Sequence, residues 1–286
     1  MLKEFNPQDL KKLSQPENNS QGEDNGQITI IGGSELFHGA PIFALKNASR
    51  FVDMVFFATP EKSVGYVAEN MKSQLGSFIW VPWEETDEYI AKSDAILIGS
   101  GFMRFASEKV SNRFRSDKCD EQCQLSQKTT KEFLTKFPSK KWVIDAGSLQ
   151  VMDPSWIPQN AVLTPNLKEF EVLFKLKPTS ENVQKVSQKY LCIIVLKSVI
   201  TTVCDSNHCL AVKGGNAGLT KGGTGDVQAG LTVALLAKND PFLAATSAAY
   251  LIKAAADDLQ KEMGTNYNSD DLTLQIPKTL NSLTSG

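Results

Sequence analysis

Seven short runs of β-branched and other apolar residues punctuate this 286-residue chain, each closed by turn residues, and they restrict its fold more than any other feature. They are ITIIGG (28–33), DMVFFAT (53–59), SFIWVP (77–82), DAILIGSG (94–101), KWVIDAG (141–147), AVLTPN (161–166) and CIIVLK (192–197). Runs that are apolar throughout, rather than alternating, suit strands covered on both faces, as in a parallel sheet. The segments between them (39–51, 61–73, about 105–137, 166–174 and 180–190) have the character of helices. This alternation predicts a doubly wound α/β fold: a mostly parallel central sheet, helices on both faces, and sites at the carboxyl ends of the strands. After the seventh run, VITTVCD and HCLAVK read as a hairpin, followed by two closing helices, about 225–237 and 241–261. No linker or internal repeat divides the chain, so residues 28–286 are expected to form one domain. Residues 1–27 mix charges and lack an apolar core, and are expected to be a flexible arm.

Glycine marks the strand ends: IGGS, IGSG and DAGS close three of the runs. The densest cluster lies elsewhere, in NAGLTKGGTGDVQAGLTVALL (216–236), where an apolar helical run follows at once. It is not a Walker A loop, because Lys221 precedes the glycine pair instead of following it. It is not a dinucleotide fingerprint either, since Gln228 stands where a glycine is needed. What remains is physical. Gly222, Gly223 and Gly225 bare backbone N–H groups where a helix begins, and a helix N-terminus carries partial positive charge, so the loop is an anion site. Val227, Leu231, Ala234 and Leu235 are expected to share the core-facing side of that helix. Asp226, the only acid of the stretch, reads in two ways: as an acid that stabilises a helix start, or as a general base beside a bound phosphoryl group.

Bulk properties exclude some partners. A formal net charge of −2 and a pI near 5.8 argue against nucleic acid, and no apolar stretch approaches the ~20 residues of a membrane span. Cys119, Cys123, Cys192, Cys204 and Cys209 come with only two histidines and no Cys-x-x-Cys pair, so a metal site is disfavoured. They are expected to be reduced thiols of a cytoplasmic protein.

With these residues in view, GGTGDVQAG (222–230) resembles the anion-hole and base motif of ribokinase-like enzymes, in the form typical of the NAD(P)H-hydrate dehydratase family. GGSELFHGAPIFALKNASRF (32–51) is similar to that family's first strand-to-helix signature. IGSG (98–101), VIDAGSL (143–149), LTPNLKEFEVLF (163–174) and VLKSVITTV (195–203) match its other stretches in order. The match spans roughly residues 28–260. Departures fall on the rims. Gly99-Ser100-Gly101-Phe102-Met103 replaces Gly-Pro-Gly-Leu-Gly, Lys197-Ser198 replaces Lys-Gly, and Leu219-Thr220-Lys221 replaces Met-Ala-Thr.

The resemblance implies a ribokinase-like domain that dehydrates hydrated NADH or NADPH with ATP or ADP as co-substrate and Mg2+. The ring hydroxyl is phosphorylated and phosphate is then lost. Asp226 would be the base. Backbone N–H groups of Gly223, Thr224 and Gly225 would form the anion hole. Ala40, Gly101, Asn166 and Asp226 would contact the hydrated cofactor. Lys197, Ser198, Val199, Thr201 and Gly225 would contact the nucleotide, and Asn166 with Glu169 would hold magnesium indirectly, through water and phosphate. Asn166 stands where many ADP-using members carry His, which leans towards ATP. A homo-oligomer is compatible with this reading, and an NAD(P)H-hydrate epimerase partner would be a separate chain. Two alternatives stay open: a ribokinase-like kinase of a small vitamin precursor, which keeps its phosphoester, and a catalytically silent nucleotide-binding protein.

Overall fold

The computed structural model describes residues 2–104 and 119–285. Among these residues the apolar runs build one ten-stranded sheet. Its strands are β1 (Lys3–Glu4), β2 (Gln27–Ile31), β3 (Met54–Ala58), β4 (Ile79–Trp80), β5 (Ala95–Ile98), β6 (Lys141–Ile144), β7 (Val162–Leu163), β8 (Ile193–Leu196), β9 (Thr201–Cys204) and β10 (Cys209–Val212). Their spatial order is β1-β10-β9-β8-β7-β6-β5-β2-β3-β4. The block from β4 to β8 is parallel, whereas β9 runs antiparallel to both β8 and β10, as the expected hairpin requires.

The helices are α1 (Gly39–Ala48), α2 (Lys62–Met71), α3 (Thr86–Lys92), α4 (Glu121–Lys136), α5 (Ala146–Val151), α6 (Leu167–Phe174), α7 (Ser180–Tyr190), α8 (Thr224–Lys238), α9 (Pro241–Met263) and α10 (Ser269–Thr284). Strand side chains alternate between two cores. Ile30, Phe57 and Leu97 pack with buried residues of α1, α2, α8, α9 and α10. Ile31, Phe56 and Ile96 pack with those of α3 to α7. The fold is therefore the doubly wound α/β class that the continuous apolar runs predict, and burial on both faces explains why those runs do not alternate. No helix among the described residues is long and apolar enough to cross a membrane.

Several expectations need correction. Helix α8 buries every side chain from Val227 to Ala237, not one face carried by Val227, Leu231, Ala234 and Leu235. It is the central rod of its layer, packed against α1, α9 and the sheet. The expected flexible arm is docked: Lys3 and Glu4 pair with β10, and Phe5, Leu10 and Leu13 are buried. Three apolar side chains in a polar stretch were enough to seat it. A third closing helix, α10, was not anticipated, because Pro277 interrupts its sequence pattern. A reciprocal cap between Asn268 and Asp271 starts it, and Leu272 and Ile276, one turn apart, bury its inner side. Part of the helix expected over 105–137 lies outside the described residues; α4 begins after Asp120, whose carboxylate accepts from Cys123 N at 2.9 Å.

The reading of the cysteines as reduced thiols is also corrected. Cys119 pairs with Cys123, and Cys204 with Cys209. Cys204 and Cys209 lie directly opposite each other in the β9–β10 ladder, which brings their Cα atoms to 4.2 Å. Cys192 alone is free, and burial pushes its thiol up to about 12.

Candidate active site

The carboxyl ends of β2, β5, β6, β7 and β8 bring the glycine turns to one rim. Gly33 N donates to Ser100 O at 2.9 Å, Asp145 N to Ile98 O at 3.0 Å, Thr164 N to Ile144 O at 3.1 Å and Lys197 N to Pro165 O at 2.8 Å. These bonds stitch adjacent turns together. The Gly99–Gly101 turn has no room for side chains at its glycines. A Cβ on Gly99 would meet Asp145 O at 2.1 Å, and one on Gly101 would meet Phe37 O at 2.5 Å and Ala40 Cβ at 3.2 Å. Both glycines also have positive φ, 113° and 77°. Ala40, in the first turn of α1, thus sits directly over Gly101.

Helix α8 points its N-terminus into the same rim. Gly223, at φ 89°, turns the chain into the helix, and a Cβ there would strike Phe43 and Ser269 Oγ at 2.7 Å. Gly225 differs: its φ is ordinary, and the nearest atom to an added Cβ is Lys197 Nζ at 3.5 Å. The space in front of Gly225 is otherwise open. Thr224 turns its hydroxyl away, donating to Leu219 O and Lys221 O at 2.7 and 2.9 Å, so what this turn offers a ligand is backbone, not hydroxyl. The first N–H groups of any α-helix lack intrahelical acceptors; here Thr224 and Gly225 line the cavity, and Thr224 N makes a long bond to Lys221 O at 3.4 Å.

Around this turn lies a charge cluster. Lys197, at the end of β8, donates to Asp145 Oδ1 at 2.8 Å. The Lys197 side chain is 19% exposed and that of Asp145 2%. Asp145 also accepts from Thr164 Oγ1 at 2.6 Å. Burial alone would lower the Lys197 ammonium, but the surrounding carboxylates, Asp145 and Glu169 first, hold it above the ordinary lysine value. Asp226 is pushed up to about 7: burial raises it, the charge of Asp145 raises it further, and Lys197 offsets only part of the rise. Ser100 Oγ is buried without a hydrogen bond of good geometry, yet lies close enough to Asp226 to favour its ionised form. Burial, with repulsion from Asp145, likewise raises the Glu169 carboxyl against the pull of Lys197.

Asn166 and Glu169 start α6 with a reciprocal cap. Glu169 N donates to Asn166 Oδ1 at 2.9 Å and Asn166 N to Glu169 Oε2 at 2.8 Å. Asn166 also forms a bridge with Lys197. A cavity of about 520 Å³ opens beside the charge cluster, lined by Lys197, Ser198, Val199, Thr201, Thr224 and Gly225 among others. Gly214–Ala217, Ile252 and Lys253 also line it.

The sequence-derived candidates therefore gather around two joined spaces. Ala40, Gly101, Asn166, Glu169 and Asp226 lie on the strand-end rim, and Lys197, Ser198, Val199, Thr201, Thr224 and Gly225 line the adjoining cavity. Gly223 shapes the helix start behind both. Three residues of this site were missed. Asp145 was seen only as part of a strand-end turn, although a lone acid closing an apolar strand is a signal. Ser100 was seen only as a departure from the family pattern, and Lys253 gave no local signal at all.

This architecture is shared with solved ribokinase-like structures. The fold matches a ribokinase-like superfamily protein of Enterococcus faecalis V583 with a TM-score of 0.83, at 23% identity, over 100% of this chain and 97% of that one. It also matches the ADP/ATP-dependent NAD(P)H-hydrate dehydratase of Bacillus subtilis, co-crystallised with ATP/Mg2+, with a TM-score of 0.78 at 19% identity, over 99% of each chain. The family model described as NAD(P)H-hydrate dehydratase matches residues 28–278, and the chain belongs to that family. A bifunctional NAD(P)H-hydrate repair enzyme of Methanocaldococcus jannaschii is 34% identical over 95% of this chain and 51% of its own length. An ADP-dependent (S)-NAD(P)H-hydrate dehydratase of Cenarchaeum symbiosum is 27% identical over 95% of this chain and 94% of its own. The chain thus spans about half the length of the bifunctional relative.

Proposed function

We propose that the protein dehydrates hydrated NADH or NADPH back to the reduced dinucleotide, consuming ADP or ATP. One observation carries this reading: a carboxyl group at about 7, Asp226, stands one residue from a backbone anion site on the same helix turn. A base placed there reaches a hydroxyl that attacks a phosphoryl group held by that turn.

Asp226 takes the proton from the ring hydroxyl as its oxygen bonds to the terminal phosphorus and the bond to the nucleotide's leaving phosphate breaks. Backbone N–H groups at Gly223, Thr224 and Gly225 bear the charge that develops on the transferred group. Phosphate is a far better leaving group than hydroxide. The ring nitrogen lone pair expels it, and loss of a proton from the neighbouring ring carbon restores the double bond. Ala40, Gly101 and Asn166 hold the hydrated ring against the base. Lys197, Ser198, Val199, Thr201 and Gly225 hold the nucleotide.

Magnesium fits this site in one form. No group of three His, Cys, Asp or Glu side chains among the described residues could cage a metal ion, and Asn166 and Glu169 are engaged with each other. Three carboxylates around the Lys197 ammonium nevertheless leave room for a further cation, so Mg2+ would be held through its waters by Asn166 and Glu169 and by the nucleotide's phosphates. It would supply neutralising charge on those phosphates.

The bifunctional repair relatives support a functional link with an NAD(P)H-hydrate epimerase activity as partner. The test is to mix purified protein with hydrated NADH or NADPH and either nucleotide, following dinucleotide absorbance and free phosphate. Recovery of both, in equal amounts, is expected. A phosphoester that accumulates without phosphate release would mark a kinase, and no turnover with either nucleotide would overturn the reading.

A further inference from the structure

Lys253 lies on α9, outside every motif that the family resemblance covers, and is 5% exposed. Its ammonium donates to three main-chain carbonyls: Val199 O at 2.7 Å, Gly214 O at 3.1 Å and Ser198 O at 3.3 Å. Ser198, Val199 and Gly214 all line the 520 Å³ cavity. One side chain therefore spans the gap between two loops that are far apart in sequence.

The two loops are not held equally. The 214–218 loop has further anchors: Gly215 N donates to Asp257 Oδ2 at 2.9 Å, Asn216 Nδ2 to Ala256 O at 2.8 Å, and Tyr267 Oη to Asn216 Oδ1 at 2.7 Å. Apart from those to Lys253, the side-chain bonds of the 198–200 loop among the described residues are local, Ser198 Oγ to Ile200 O and Thr201 Oγ1 to Ser198 O. Its tip is apolar and open to solvent, with Val199 89% exposed. Lys253 is what ties that tip to the helical layer.

The choice of lysine is informative. Neutral donors suffice to hold carbonyls, and no carboxylate among the described residues lies within ion-pair distance of Lys253 Nζ. A buried ammonium without a counter-ion is costly unless an anion arrives, and burial does hold this ammonium below the usual lysine value, with Asp257 only partly restoring it.

We propose that Lys253 is a positioning residue for the nucleotide: it holds the two cavity-lining loops together and lends positive charge to a polyphosphate bound beside them. The inference rests on the nucleotide-dependent reading above and assigns the binding of a nucleoside di- or triphosphate, not of the hydrated dinucleotide, to this tie.

The test compares Lys253→Met, which removes both donors and charge, with Lys253→Gln, which keeps donors alone. ADP and ATP affinities are measured first by calorimetry in the absence of hydrated dinucleotide, then KM and kcat for each substrate. The expected result is a nucleotide Kd raised about tenfold in K253M and by less in K253Q. The expected kcat and KM for the hydrated dinucleotide stay within about twofold of wild type. Wild-type Kd in either folded variant overturns the inference. So does an equal rise in both KM values, which a loosened scaffold would give. Should K253M fail to fold, K253Q decides alone. A wild-type protein that binds neither nucleotide would instead overturn the proposed function itself.

Discussion

Lys197 Nζ bonds Asp145 Oδ1 at 2.8 Å, and through that pair the end of β8 governs the charge of an acid on another element, Asp226 at the start of α8. Asp145 repels ionisation of Asp226 and Lys197 favours it. The lysine faces three carboxylates, Asp145, Glu169 and Asp226, and Arg104 adds its charge beside Glu169. Burial raises Asp226 most and the charge of Asp145 raises it further, and because Lys197 offsets only part of that rise Asp226 stands at about 7, in the range where a general base works at neutral pH.

The first expectation is a pH profile. With Asp226 at about 7, kcat/KM should fall on the acid side with a midpoint near pH 7 and level off above it. Asp226→Asn should lower turnover by about 10²–10⁴ across the range. Its stability should move the other way. The folded-state value is raised above the unfolded one, so the native protein binds the extra proton between about pH 4 and 7, and stability from this group is lost as pH rises through that window. Asp226→Asn should therefore melt above wild type at pH 8 and close to it at pH 4. A variant that melts lower at pH 8 would contradict the burial of the charge.

Lys197→Met tests the shared cation. It leaves Asp145, Glu169 and Asp226 to repel one another, so the acid limb of the rate profile should move to higher pH. Breaking a fully buried pair costs about 3–5 kcal/mol, and the loss here should fall below that because Lys197 retains 19% exposure. Calorimetric melting and a pH–rate series on one preparation would check both. An unmoved acid limb in a folded variant would remove Lys197 from the control of Asp226.

Gly223 and Gly225 should separate folding from catalysis. Gly225→Ala has an ordinary φ and an open site, so it should melt within about 1 kcal/mol of wild type. Its methyl enters the space assigned to phosphate, and the loss of one well-aimed donor costs about 10²–10³ in rate. Gly223→Ala faces a positive φ and contacts at 2.7 Å, so it should lose stability outright. Thermal melts with turnover on each would decide. Full activity in Gly225→Ala would mean that the turn does not cradle phosphate.

Gly230 lies within α8, where the sequence predicts alanine to be nearly neutral for catalysis unless close packing requires glycine. An added Cβ would instead meet Ala44 O at 2.3 Å, because α8 and α1 cross there backbone to backbone. Gly230→Ala should cost about 1–3 kcal/mol of overpacking. An unchanged denaturation midpoint would show that the two helices separate freely.

Sequence reading recovered the sheet because seven continuous apolar runs encode burial on two faces, a local and redundant signal. It located Asp226 and its glycines at a helix start because the loop, the helix start and the acid are contiguous. It did not recover what depends on distant pairs. Asp145 becomes part of the site only when Lys197, 52 residues later, reaches it. Lys253 acquires meaning from carbonyls 39 to 55 positions away. The Cys204–Cys209 bond follows from hairpin register, which one residue of slip would abolish. Helix α10 was hidden by Pro277, since tertiary packing outweighs a proline's local cost.

Helix α8 is sheathed on all sides from Val227 to Ala237, and this has a mechanical consequence. A close-packed rod of that kind transmits strain instead of absorbing it, so Asp226 stands on an anvil. Displacing it by even an ångström would require α1, α9 and the sheet to shift together. The compliance needed to admit and release a ligand must then reside opposite, in the loop whose tip is Val199 and whose tether is a lysine. Amide exchange should report this contrast directly. The α8 amides should be among the last to exchange and those of 198–200 among the first, with the boundary running between Asp226 and the nucleotide it would act upon.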